Sequence, residues 1–138
     1  MTADPLVLVV GDACPDLVLR GDVVPRFGQA EQVLDAADLV LGGSAAIVAC
    51  GLARLGVPTA LAALVGDDPM GELVRDRLVA AGVDVRWLAT DPDVPTGMTV
   101  VLSAADRALL TYAGTIATTT SSVVDLDLVA RVRHVHSA

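Results

Sequence analysis

The stretch Leu41–Gly56, LGGSAAIVACGLARLG, carries more information about the fold than any other in the chain. Two adjacent glycines, Gly42 and Gly43, precede Ser44 and a run of Ala, Val and Leu. This order predicts a helix from about Ala45 to Leu55, capped by Ser44 and stopped by Gly56 and Pro58. Val48, Leu52 and Leu55 fall on one face, while Ala45, Ala46, Ala49 and Ala53 make another small enough for close approach to a sheet. The glycine pair reads in two ways. It lets a ligand approach the backbone where helix N–H groups are free to meet hydroxyl or anionic oxygens. It serves equally as a tight turn before a packed helix. Neither GxGxxG nor GxxxxGK occurs, which excludes a dinucleotide fingerprint and a Walker loop.

Upstream, Leu6–Val10 (LVLVV) is an uninterrupted apolar run ended by Gly11, the pattern of a strand buried on both faces. Gly11-Asp12-Ala13-Cys14-Pro15-Asp16 lies just past its carboxyl end, where ligands bind in open α/β sheets. A carboxylate there can accept hydrogen bonds from two neighbouring hydroxyls of a polyol. Asp12 and Asp16 read equally well as turn residues bonding their own backbone. Residues 16–34 are broken by Gly21, Pro25 and Gly28 and read as two short strands or an extended excursion.

Downstream, Thr59–Val65 is a second buried strand, and Asp68-Pro69 opens a helix with Leu73, Val74 and Leu78 inward and Gly82 as its stop. Val83, Val85 and Trp87 alternate with Asp84 and Arg86, which predicts a strand with one wet face. Met98–Leu102 and Ala108–Tyr112 form a hairpin pattern around Ala104-Ala105-Asp106. Ser122 with Asp125 three residues on is a capping-box variant that predicts a helix through about Arg131. His134–Ser137 reads as one more buried strand. The alternation means an α/β fold with a largely parallel sheet. A final strand with nothing after it leaves part of that sheet uncovered, so the chain reads as unfinished.

Composition narrows the chemistry. The 138 residues suit one ordinary domain, and a 54% hydrophobic content supports a substantial core. All 9 basic residues are Arg, and there is neither Lys nor Asn. The missing Lys excludes a lysine Schiff base and a phosphate-loop lysine on this chain. A net charge of −8 argues against nucleic acid and anionic membrane surfaces. The uncharged apolar stretch Leu39–Ala53 is too short to span a bilayer. Cys14 and Cys50 read as reduced thiols in a cytoplasmic protein, with no metal-type spacing and no cationic activator close in sequence. Asp67 and Asp68 form an acidic pair that fits either helix capping or a divalent metal, and capping explains both. His134 and His136 share a strand face without an evident third ligand, so no metal site is expected.

The diglycine segment, taken with its surroundings, resembles the amino-terminal half of the PfkB-type (ribokinase-like) carbohydrate kinases. Gly42, Gly43, Ala45, Ala49, Gly56 and Gly66 fall at the spacing of that family's first signature. Gly11–Asp16 resembles its first βα turn, with Asp16 matching a sugar-hydroxyl acceptor, and Gly66-Asp67-Asp68-Pro69-Met70-Gly71 resembles its GxD…G segment. Pro95-Thr96-Gly97 and the following hairpin resemble the start of its later lid and sheet strands, and His134-Val135-His136 the strand where the fold continues.

The resemblance implies a three-layer sandwich with a mostly parallel sheet and a small β lid, incomplete in this chain, with lid strands near 16–34 and 96–112. It implies ATP-dependent phosphorylation of a sugar or nucleoside hydroxyl by the intact kinase, with Mg²⁺. Residues 1–138 would be the substrate-binding portion, and Asp12, Asp16, Gly42, Gly43, Ser44 and Ile47 the substrate-binding positions. A homodimer through the lid strands is a further implication. Two departures stand out. Ile47 occupies the place of the family's Asn and offers no hydrogen bond, a loss of about 1–3 kcal/mol per bond in a site built to pair a hydroxyl. The family's Gly-Ala-Gly-Asp segment, which supplies the catalytic base and the phosphoryl anion hole, occurs nowhere in the chain, so no catalytic residue is expected here. These departures motivate an alternative, a non-catalytic binding or assembly module derived from the same fold.

Overall fold

The computed structural model describes residues 4–138. Its centre is an all-parallel sheet of four strands: β1 (Val7–Val10), β4 (Thr59–Gly66), β5 (Leu88–Asp91) and β8 (His134–Ser137). The order across the sheet is β5-β4-β1-β8, so β1 lies between β4 and β8. Residues of β1 and β4 point alternately to two cores, as the period of a strand requires. Val9, Leu61, Ala63 and Val65 face α1 (Ser44–Arg54) and α2 (Pro69–Ala80). Leu8, Ala60 and Ala62 face the other way and pack on Leu128 of a one-turn helix, Leu126–Val129. Helices on both faces make three layers, and burial on both faces explains why β1 and β4 read as unbroken apolar runs. The stripe Ala45, Ala46 and Ala49 of α1 is fully buried, while Leu55 is exposed.

A second sheet stands beside the first, in the order β3-β2-β6-β7. Its strands are β2 (Cys14–Arg20), β3 (Ala36–Gly42), β6 (Met98–Ser103) and β7 (Arg107–Tyr112). The pair β2–β6 is parallel, and β2–β3 and β6–β7 are antiparallel. The hairpin lies where the sequence places it. The other half of the sheet does not: residues 21–35 form no strand, and the partner of β2 is β3, which runs directly into the diglycine. The run Leu39-Val40-Leu41 lacks polar alternation, which hides a strand in an exposed sheet.

Two further readings are corrected. Val83–Trp87 is a turn with one bridge, Ala60 to Asp84, and the strand follows at Leu88. Asp84 accepts from the Arg86 backbone and guanidinium, and this local bonding competes with a strand ladder. The helix expected from Ser122 to Arg131 is two short pieces. Thr120 caps a 3₁₀ turn at Ser121–Val123, and Asp125 itself caps Leu126–Val129, accepting from Asp127 and Leu128 N–H. A further one-turn helix at Thr115–Thr118 has no counterpart in the sequence reading.

Asp68 fastens the two sheets together. It caps α2 by accepting the Gly71 N–H at 2.8 Å, and it accepts the Thr96 hydroxyl at 2.8 Å and the Thr96 N–H at 2.7 Å. Thr96 Oγ1 in turn accepts the Gly66 N–H at the end of β4 at 2.8 Å. Burial pushes the Asp68 carboxyl up, but the hydrogen bonds from Thr96 and Gly71 outweigh it and hold the group below its ordinary value of 3.8. A carboxylate with a depressed folded pKa stabilises the fold above its unfolded pKa, and that contribution is lost as pH falls through the folded value. Denaturant unfolding of wild type and Asp68→Asn between pH 3 and pH 7 should therefore give a stability difference that is constant above about pH 5 and shrinks as pH falls below about pH 4. Parallel curves would remove Asp68 from the acid sensitivity.

Candidate functional site

At the carboxyl end of β1 the chain turns through Gly11, Asp12 and Ala13 into β2, and this turn meets the start of α1. Asp12, rather than Ser44, satisfies the helix N-terminus. Its Oδ1 accepts from the Ser44 hydroxyl at 2.9 Å and the Ala45 N–H at 3.3 Å, and its backbone oxygen accepts from the Ala46 N–H at 3.2 Å. Gly43 occupies the N-cap position with φ 89°, and no side chain of its own segment caps the helix. The sequence reading therefore changes at one point. N–H groups at Ala45 and Ala46, expected to be free for a ligand, are occupied by an aspartate from the neighbouring turn.

Both glycines of the pair are required by space. A Cβ on Gly43 would approach the Asp12 backbone oxygen to 2.7 Å and Ala13 Cα to 2.9 Å, in a left-handed conformation already unfavourable for other residues. A Cβ on Gly42 would overlap the Asp16 carboxylate. That carboxylate belongs to β2 and not to the turn, so Asp16 is a strand residue. The register aligns Asp16 with Val40 on one side and Thr99 on the other, and Thr99 with Thr111. These four residues form one row on one face of the second sheet, with the Thr99 and Thr111 hydroxyls 3.0 Å apart.

Cys14 is the residue that sequence reasoning left out of the site. It lies two positions before Asp16, on the same strand face, and that spacing was the available signal. Its buried thiol donates to Asp16 Oδ1 at 3.7 Å. Burial, reinforced by the charges of Asp16 and Asp12, pushes the thiol up to about 12, so it stays a protonated donor. Burial also pushes the Asp16 carboxyl up, opposed by the Cys14 hydrogen bond and reinforced by the Asp12 charge. The structure thus unites Asp12, Gly43 and Ser44 in one hydrogen-bonded cluster and Cys14, Asp16 and Gly42 in an adjoining one. Ile47 follows one helical turn later with its side chain 57% exposed.

This arrangement presents a half-buried carboxylate beside a backbone stripped of side chains. Such a surface accepts hydrogen bonds from hydroxyl groups and admits a ligand close to the main chain. Among the described residues, no group of three His, Cys, Asp or Glu side chains is placed to hold a metal ion, and no helix is long and apolar enough to cross a membrane.

Comparison with known proteins agrees with the geometry. The model of the pfkB family carbohydrate kinases matches residues 4–138. A fructokinase from Escherichia coli is 38% identical over 87 residues, which are 62% of this chain and 24% of that protein. A nucleoside kinase from Methanothermobacter thermautotrophicus is 30% identical over 112 residues, 81% of this chain and 36% of its own length. Among solved structures, Arabidopsis thaliana ribokinase complexed with ribose and ATP superposes with a TM-score of 0.85 at 24% identity, covering 98% of this chain and 45% of the ribokinase. The chain thus spans less than half the length of these relatives.

The thiols offer a direct check on the site. Native protein treated with iodoacetamide at pH 8 should alkylate at Cys50 before Cys14, because Cys50 is raised by burial while the nearby Arg54 charge opposes the rise. Peptide mass spectrometry that finds Cys14 modified first would contradict the buried, protonated thiol described above.

Proposed function

This chain belongs to the pfkB family of carbohydrate kinases, and on that premise we propose that it forms the acceptor-binding part of a kinase that transfers the γ-phosphoryl group of ATP to a hydroxyl of a sugar or nucleoside. The observation that supports this reading most is the Asp16 carboxylate, half-buried and seated over Gly42 at the junction of the two sheets. In this reading Asp16 accepts hydrogen bonds from acceptor hydroxyls, and Gly42 and Gly43 allow the acceptor to lie on the backbone. Asp12 and Ser44 hold the shape of that turn through their mutual hydrogen bond. Ile47 contributes an apolar contact where the family places an amide. The reading also takes the protein to be cytoplasmic, with a small-molecule substrate and with neither nucleic acid nor membrane as a partner.

The residues present do not fit a nucleotide or Mg²⁺ site. The chain has no lysine, no Gly-Ala-Gly-Asp segment and, among the described residues, no metal-holding cluster. The proposal therefore assigns ATP, Mg²⁺ and the catalytic base to residues outside these, and the chain alone transfers nothing. The test uses the longer protein that contains this chain, incubated with ATP, Mg²⁺ and a panel of pentoses, hexoses and nucleosides, with ADP release as the readout. Turnover on at least one acceptor is expected. Asp16→Asn should raise its KM roughly 10- to 150-fold, the equivalent of about 1.5–3 kcal/mol for hydrogen bonds to a charged group. Absence of turnover across the panel would overturn the kinase reading. The exposed Ile47 favours a non-catalytic binding module as the second reading. Ligand binding without ATP, alongside zero turnover, would select it.

We also infer that two copies pair through the second sheet. The face opposite Asp16 carries the row Leu39, Leu17, Val100 and Leu110, continued by Tyr112, and Leu39, Leu110 and Tyr112 are 36%, 58% and 54% exposed. An apolar sheet face of this kind marks an association surface. Light scattering should report a dimer for wild type and a monomer for Leu110→Asp. A wild-type monomer at high concentration would refute the pairing.

A further inference from the structure

A cavity of about 300 Å³ lies along the outer side of α1, lined by Val40, Leu41, Ile47, Cys50, Arg54 and Arg77. Its floor is aliphatic and its two charged residues are both cations, in a chain whose net charge is −8. No carboxylate lines it. The ion pairs among the described residues engage Arg20, Arg26, Arg86 and Arg131, and Arg75 donates to the Leu88 carbonyl. Arg54 and Arg77 have no such partner among the described residues. Each stands in the last turn of its helix, where the macrodipole favours a cation. That accounts for either arginine singly, but not for two helices aiming cations at one cavity that no acid neutralises.

We propose that this cavity is a binding site for a small organic anion, its phosphate or carboxylate held by Arg54 and Arg77 and its apolar body resting on Val40, Ile47 and Cys50. Planar guanidinium groups suit both anions, and the aliphatic floor favours a ligand with a hydrophobic part over a bare inorganic ion. The cationic end of the site is distinct from the acceptor surface, because Arg54 lies about 15 Å along α1 from Ser44, while Ile47 borders both. It is also connected to that surface. Val40 pairs with Asp16 in the sheet and Leu41 pairs with Pro15, so the cavity wall is the strand that leads into the diglycine. The inference stands apart from the kinase reading, since its test reads binding and needs no turnover.

The test is titration of this chain with phenyl phosphate, benzoate, inorganic phosphate and phenol, followed by calorimetry or by amide shifts on α1. Phenyl phosphate or benzoate should bind more tightly than inorganic phosphate, and phenol should not bind measurably. The stronger of the two organic anions identifies the headgroup. Arg54→Ala and Arg77→Ala should each weaken binding at least tenfold. Arg107→Ala, an equal change of charge on the far hairpin, should leave it unchanged. Equal binding by wild type and both cavity variants, equal loss in Arg107→Ala, or phenol binding as well as phenyl phosphate would each overturn the site. So would a preference for inorganic phosphate over both organic anions, which would mean an adventitious ion only.

Discussion

The hydrogen bonds that Asp12 accepts from the first turn of α1 are the contact on which the rest of the site depends. A helix N-terminus leaves several N–H groups without partners, and the usual remedy is a side chain immediately upstream in the same segment. Here the upstream residues are glycines, which cannot cap by side chain, and the acceptor comes from a turn more than thirty residues earlier in sequence. One carboxylate therefore locks the end of β1, the glycine pair and the helix into a single geometry. The glycines are bare because Asp12 and Asp16 occupy the space their side chains would need. Remove the demand for bare backbone and a local Ser or Asp cap would serve the helix as well.

What the sequence could and could not convey follows from the range of the interactions involved. β1, β4 and α2 are written in local pattern: an apolar run, a second apolar run, and Asp-Pro before a periodic segment, each sufficient without knowledge of neighbours. The hairpin of β6 and β7 is equally local. β3 was invisible because its pairing with β2 spans an irregular stretch of fourteen or so residues, and because an exposed strand rich in Leu and Val shows no alternation. The turn at Val83–Trp87 mimicked a strand because Asp84 and Arg86 alternate with apolar residues for a different reason, their bond to each other.

In the candidate site, which residues converge is more legible than what each of them does. Asp12, Asp16, Gly42, Gly43 and Ser44 do converge, as their positions after β1 and before α1 suggest. Which aspartate would cap and which would stay available could not be read, since both sit at turn-like positions and both types of bond are short-range in space but long-range in sequence. Cys14 escaped notice for a related reason. A cysteine without a metal partner or an activating cation looks inert, and its contribution here is to donate a weak hydrogen bond to a neighbour on its own strand face.

The second sheet joins the body of the molecule in an unusual way. β2 begins, β3 ends, β6 begins and β7 ends at the same edge of that sheet, where Cys14 lies opposite Gly42 and Met98 opposite Tyr112. All four covalent crossings therefore lie along one line, each next to a glycine or a glycine-containing turn: Gly11, Gly42 with Gly43, Gly97 and Gly114. Rotation about that line would break none of the ladder bonds within the sheet. The sheet is thus joined to the body along one edge, held there by the clasp between Asp68 and Thr96 and by the hydrogen bonds that Asp12 accepts. Because Asp16 lies only two residues from the crossing at Cys14, a swing of the sheet about that line would displace it less than any residue at the free edge.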